Sequence, residues 1–493
     1  MSATARPSIA THYLRYAFGN GLILLAGFIS YPILTRLLSY AQYGVLGYFD
    51  AWMLFLTAII KLGSQHSAVR FYPHDGSPKA LRIYGSTFVL YSMAVSGVAW
   101  LVAALILLAA TSTGRVNQPV EAWVMLALLV PTVCISYVTS VLTAEERSDL
   151  SVRFDVVQRW IELVAILGIV YFLSRTATAV YVARLVAAVV VAAVGVGWLL
   201  RNLPMHWRDR DVKRWLDGVH YGVPMGANEL AYVVLGFVDR LMLKQQLHDF
   251  VPVGIYTIGY GLALKINVML HAALGVAYNQ VSIRLYETEG AQAVVRAKRA
   301  VLDMLVYVVS ALVVGTLTVG QDLLLLLAGR DKHQSVPVFV WVTVTYVLSG
   351  LLGLCASGLV LHKRSTTLLA LTVVAAIANI VLNWFWIPQY GFMGAVYATA
   401  ASLIGLNCLQ FLFCPRELRA LPSARACLIA SGLSVMVWLV AHFGGAYVVG
   451  EIPRIVAMTG LLAVLFVMPA LALDRRLRGM LHGYWLRRRA GEL

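Results

Sequence analysis

Apolar runs of about twenty residues, parted by short polar stretches, recur along the whole chain, and about fourteen are long enough to cross a bilayer. The first six cover residues 16–38, 45–71, 83–111, 122–143, 156–174 and 177–200. The other eight cover 219–243, 254–283, 300–320, 336–361, 367–387, 393–413, 426–443 and 455–473. Only Ser174, Arg175 and Thr176 part the fifth run from the sixth. Lipid offers no water to unpaired backbone groups, so runs of this length predict helices. The expected class is an all-α polytopic membrane protein.

Composition sharpens that picture. Of 493 residues 60% are apolar and 13% charged, against about 25% charged in a soluble domain. A net charge of +16 would suit nucleic acid, but the Lys and Arg residues sit in short clusters between apolar runs. Such clusters belong to cytoplasmic loops facing anionic lipid headgroups, so membrane lipids and not nucleic acid are the expected contact. With the N-terminus inside, about 28 of the 39 basic residues fall on the cytoplasmic face and about eight on the other. Both termini are therefore expected in the cytoplasm, with the first run retained as a span. The five cysteines form no C-x-x-C and suggest neither disulfide nor zinc.

The two halves echo each other. In YPILTRLLSYAQYGVLGYFDAW (31–52) and LGFVDRLMLKQQLHDFVPVGIYTIGYGLALK (235–265), aligning Gly44 with Gly254 puts Val45 on Ile255. The pairs Thr35-Arg36 and Asp239-Arg240 then occupy similar places before the turn. The expected organisation is an N-terminal lobe over 1–200, a cytoplasmic linker over 201–218 and a C-terminal lobe over 219–413. Two additional helices over 414–473 and a basic tail over 474–493 complete it. Related halves around a polar interior are an arrangement of transporters.

No P-loop, H-E-x-x-H, G-x-S-x-G or Cys/His metal spacing is present. The chemistry lies instead in polar groups within the runs, which are costly there and normally face protein or water. Lys61 lies between Ile60 and Leu62, Lys265 between Leu264 and Ile266, and the half-to-half alignment sets Lys61 opposite His271. These groups predict a hydrated cationic cavity; the competing expectation is a buried pair with an acid such as Asp50, Glu162 or Asp303. Arg70 and His66 stand toward the cytoplasmic end of the second run. Arg36 and the Asp239-Arg240 pair stand at outer ends, as an external gate or an interfacial ion pair. Asn228 and Asn267 are candidate sugar contacts among several polar span residues that include Glu229, and Pro224 is a candidate hinge.

The motif Pro32-Ile-Leu-Thr-Arg36 followed by Tyr43-Gly44 resembles the first-helix signature of bacterial oligosaccharide flippases, the Wzx-like polysaccharide transporters. A second match runs through Tyr221-Gly-Val-Pro224, Asp239-Arg240, Val253-Gly254-Ile255-Tyr256 and Tyr260. These flippases are a branch of the multidrug/oligosaccharidyl-lipid/polysaccharide superfamily. The resemblance implies two pseudo-symmetric six-helix lobes in a V plus two C-terminal helices, and a non-enzymatic function. It further implies movement of an undecaprenyl-diphosphate-linked oligosaccharide across a bacterial inner membrane by alternating access, for O-antigen, capsule or exopolysaccharide synthesis. No cofactor is expected beyond an ion or proton gradient, and a polymerase and chain-length regulator are expected partners. Family members carry basic cavity residues in the first, second and eighth helices. Lys61 and Lys265 fill the latter two, while the first helix has only the flanking Arg15 and Arg36. Alternative readings are a multidrug exporter of the same superfamily, a membrane-embedded oligosaccharide polymerase, or a scaffold subunit.

Overall fold

A computed structural model describes residues 9–474 and 478, apart from 75, 173, 363 and 445–449; the side chains of 9–17, 148, 271–277, 279–280 and 365 also lie outside the description. Most of the expected basic tail, 474–493, is thus outside it. The described residues are helical nearly throughout. The helices are α1 (Ile9–Leu37), α2 (Tyr40–Lys61), α3 (Ser64–Arg70), α4 (Pro78–Tyr84), α5 (Ser92–Ser112), α6 (Pro119–Ala144), α7 (Ser148–Phe172), α8 (Ala177–Asn202) and α9 (Val212–Leu247). They continue as α10 (Val251–Glu289), α11 (Ala291–Ala328), α12 (Val336–Cys355), α13 (Gly358–Leu361), α14 (Ser365–Tyr390), α15 (Phe392–Phe413), α16 (Ala424–Gly444), α17 (Glu451–Leu462) and α18 (Met468–Leu473).

Among the described residues each of the fourteen apolar runs lies mainly on helix, with a break after Lys61 in the second and after Cys355 in the tenth. Among the described residues twelve helices are both long and apolar enough to cross a membrane. The two runs outside that set lie on α7 and α9, which are 25 and 36 residues long. Both have the length, but α7 carries Arg153, Asp155, Arg159 and Glu162, and α9 carries Glu229, Asp239, Arg240 and Lys244. The narrow split between the fifth and sixth runs is real: α8 begins after Thr176, whose hydroxyl accepts from Ala179 N at 3.3 Å and so caps it.

The chain divides into two compact units, Met1–Gly254 and Ile255–Leu493. In the first, α6 packs along α8, α1 along α7, and α7 along α8. Leu46 and Phe49 of α2, Leu129 and Tyr137 of α6, Ile166 of α7 and Tyr181 of α8 share its main core. In the second, α11 packs against α12, α16 and α17, and α14 against α15. Gly44 and Gly254, the pair that aligned the two halves, touch: a Cβ on Gly44 would run into Phe250 O, and one on Gly254 into Tyr40 O.

The 201–218 stretch is tied down within the first unit. Between α4 and α5 the chain widens into a π-helical turn, Gly85–Tyr91, of the kind that reorients side chains inside a helix. Ser86 Oγ accepts from His206 N and Thr87 Oγ1 from Asp211 N, each at 2.9 Å, and Trp215 Nε1 donates to Ser92 Oγ at 3.1 Å. Asp209 pairs with Arg82 at 3.2 Å. Asp211 caps α9 by accepting from Arg214 N at 3.1 Å. Asp211→Ala should lower stability by about 1 kcal/mol, read as a small fall in the detergent melting midpoint.

Candidate functional site in the first unit

Two residues set the geometry of the site. α2 ends at Lys61, and Leu62 (φ 50°, ψ 29°) and Gly63 (φ 71°, ψ 7°) both turn left-handed before α3 begins. The sequence predicts one continuous helix over 45–71; the structure breaks it inside that run. A left-handed leucine costs about 1–2 kcal/mol, so its surroundings must hold it there. The hold comes from α9. A Cβ on Gly63 would strike Gly222 O, one on Gly222 would lie 2.6 Å from both Gly63 O and Ser67 Oγ, and one on Gly226 would lie 2.9 Å from Gly63 N. Gly218, Gly222 and Gly226 stand four apart on one face of α9, and Ser67 Oγ donates to Gly218 O. No β-carbon fits anywhere along that seam.

A broken helix in a membrane frees carbonyls that need new donors. Here Ser96 Oγ donates to Ile60 O at 3.1 Å and Ser64 Oγ donates to Lys61 O. The Tyr137 hydroxyl lies between the two serines, 2.5 Å from Ser64 Oγ and 3.1 Å from Ser96 Oγ.

The seam delivers Lys61 to Glu229 of α9. Nζ is 3.3 Å from Glu229 Oε1, Gln65 Nε2 donates to Oε2 at 2.7 Å, and His66 Nε2 is 3.4 Å from Oε2. The Lys61 side chain is 9% exposed and that of Glu229 35%, so the ammonium is enclosed while the carboxylate stays partly open. Gln65 Oε1 and Asn228 Oδ1 are buried without a hydrogen-bond partner. The acids named from sequence as partners for Lys61 do other work: Asp50 and Glu162 bind Arg184, and Asp303 accepts from Ser423 N at 2.6 Å. Lys61 is thus paired, but with an acid from the other end of the unit.

Arg184 of α8 is the centre of a second polar group. Nη1 is 2.6 Å from Asp50 Oδ1 and Nε 3.2 Å from Glu162 Oε1; Tyr181 OH donates to Asp50 at 2.8 Å, and Arg159 pairs with Glu162 at 2.9 Å. The contacts of Asp50 are those of an ion pair and not of a gate. Arg184→Met leaves Asp50 with only the Tyr181 hydroxyl and Glu162 with only Arg159, and should cost about 3 kcal/mol, visible as a lower melting midpoint in detergent.

The remaining predicted residues lie apart from this cluster. Arg70 is exposed, its guanidinium 5.9 Å from the centre of the Tyr221 ring, and Arg36 is exposed in the last turn of α1. Asp239 and Arg240 are buried at 0% and 4%; Arg240 Nη1 donates to Gly236 O at 3.0 Å and stacks on Phe237. Pro224 sits inside α9, which runs unbroken past it. In the second unit, Lys265 is half-buried on α10, and two residues on Asn267 Oδ1 is buried without a hydrogen-bond partner. His271 belongs to α10, but its side chain lies outside the described residues. Sequence reasoning missed the roles of Gln65, Glu229 and Arg184. Lys298, between the apolar runs 254–283 and 300–320, is fully buried on α11 and donates to Leu418 O at 2.9 Å. The i, i+4, i+8 glycines of α9 were the one signal that could have located the seam.

The fold is that of the multi-helix transporters of the MOP superfamily. It is similar to "Lipid II flippase MurJ, inward closed conformation", with a TM-score of 0.72 at 11% identity over 94% of this chain and 99% of that one. It is also similar to an inward-facing multidrug resistance MATE family transporter, with a TM-score of 0.61 at 14% identity over 83% of this chain and 95% of that one. A MOP superfamily transporter from Pyrococcus furiosus Vc1, described by the reverse polarity of its binding pocket, matches at 0.51 and 14% identity over 82% and 94%. Among curated proteins none matches this sequence. The chain itself belongs to the family described as "Polysaccharide biosynthesis protein", whose profile matches residues 13–278.

Proposed function

We propose that this protein moves a lipid-diphosphate-linked oligosaccharide from the cytoplasmic to the outer leaflet of the bacterial inner membrane by alternating access. The support is a family concerned with polysaccharide biosynthesis, a fold shared with a lipid II flippase, and one observation in this chain. That observation is the interrupted second helix, which holds an enclosed ammonium, Lys61, beside a partly open carboxylate. Interrupted spans mark binding sites in transporters, and a cationic group offsets the cost of drawing a diphosphate into a low-dielectric slab. Lys265 of α10 is proposed as a second cation for the substrate, with Asn228 and Asn267 as sugar contacts. The multidrug MATE fold supports a second reading, export of organic cations, which Lys61 disfavours. O-antigen, capsule and exopolysaccharide pathways all consume such a lipid, and an ion or proton gradient is the proposed drive.

The test is reconstitution with a short-chain lipid-diphosphate oligosaccharide whose exposure on the far leaflet is scored by an impermeant sugar-modifying reagent. Protein-dependent exposure without nucleotide is the expected result. Efflux of a cationic dye with no lipid movement would give the protein to the second reading.

A further inference from the structure

Glu229 sits where an incoming anion would sit. Its Oε1 takes the Lys61 ammonium at 3.3 Å, and its Oε2 takes Gln65 Nε2 at 2.7 Å with His66 Nε2 3.4 Å away. The donors come from the end of α2 and from α3, on either side of the left-handed break, so their spacing is fixed by backbone packed on Gly222 and Gly226. The carboxylate reaches them on a flexible stem from α9. Solvent meets the group able to leave, since Glu229 is 35% exposed, and scarcely reaches the Lys61 ammonium that would stay, at 9%. A diphosphate joining lipid to sugar offers two non-bridging acceptor oxygens and one negative charge on each phosphorus, so the pair brings twice the charge of a carboxylate and can take the same donors.

A second observation concerns what is left over. Gln65 Oε1 and Asn228 Oδ1 are buried acceptors with no donor. Buried polar atoms are nearly always bonded, and those that are not point to an absent partner. The phosphates of a diphosphate joining lipid to sugar carry no hydroxyl to give, whereas the sugar has several. Donors held by an internal acid, with the Gln65 acceptor on one of the same side chains, form the complement of a glycosyl phosphate.

We infer that Glu229 is a resident stand-in for the substrate's phosphate, a specificity-determining residue that occupies Lys61, Gln65 and His66 while the site is empty and is displaced from them by the diphosphate of the lipid-linked sugar. The inference rests on the flippase reading. It makes the site selective for polyanions, because a weakly charged ligand cannot compete with a carboxylate already in contact. It also keeps the enclosed ammonium matched between turnovers.

The purified full-length protein in lipid nanodiscs, titrated with farnesyl diphosphate and with inorganic pyrophosphate, tests this. Glu229→Gln removes the competitor and should tighten farnesyl diphosphate binding about tenfold, a gain that adding Lys61→Ala abolishes. In the wild-type protein, where no variant can misfold, saturating farnesyl diphosphate should raise carbodiimide labelling of Glu229 several-fold. Unchanged or weaker binding by Glu229→Gln, with labelling of Glu229 unmoved, overturns the inference. A response to pyrophosphate alone overturns its assignment to a lipid-linked substrate. No binding of farnesyl diphosphate to either form overturns it as well, and wild-type flipping in the reconstituted assay tells that failure from failure of the flippase reading.

Discussion

Replacing Lys61 and Lys265 together by alanine is expected to lower delivery of the proposed lipid-linked oligosaccharide to the outer leaflet by at least about tenfold, with the protein still folded in the membrane. A charge-assisted hydrogen bond contributes about 1.5–3 kcal/mol, so each lost ammonium is a factor of about ten to a hundred or more. Lys61 carries the larger share, because its ammonium is enclosed while Lys265 is only half-buried. Lys61→Ala leaves Glu229 without its cation, yet a carboxylate 35% exposed can be hydrated, so folding should survive. The measurement is initial flipping rate in proteoliposomes, normalised to protein that elutes as a single species in detergent. Normal flipping by the double variant removes both lysines from the mechanism.

The second large effect is expected at Gly63. Gly63→Ala places a β-carbon against Gly222 O, in a backbone with φ of +71° that L-residues avoid. Gly114→Ala is the control, since Gly114 has nearly the same φ, +66°, and open space around it. Gly114→Ala should cost about 1 kcal/mol, the strain of the left-handed conformation alone. Gly63→Ala should cost about 3 kcal/mol or more, because backbone on α9 must move away, and flipping should fall with it. Equal melting midpoints for the two variants would show that the seam yields freely.

Much of the architecture was legible in the sequence. Hydropathy is a local property, read over windows no longer than one span, and the apolar runs lie mainly on helix, though not always on one unbroken helix. Even the short gap at Ser174–Thr176 held, because a threonine there caps the next helix. The echo of Gly44 and Gly254 was visible as residues, and its meaning, reciprocal backbone contact, emerged only in three dimensions. Lys61 stood out as a charge in an apolar run. Its partner did not, because Glu229 lies 168 residues away and nothing local distinguishes it from the other polar residues of its span.

The break after Lys61 shows most sharply where sequence stops. Leu62 is a residue that favours helix, and periodicity carries straight through it; only the glycine face of α9, packed against Gly63, makes the left-handed turn the lower-energy choice. The chain's own order of residues determined that it is a many-helix membrane protein and which charges would have to be accommodated. Tertiary structure decided which helices meet, hence which acid matches which base, since pairing depends on side chains brought together from distant positions that no local window spans.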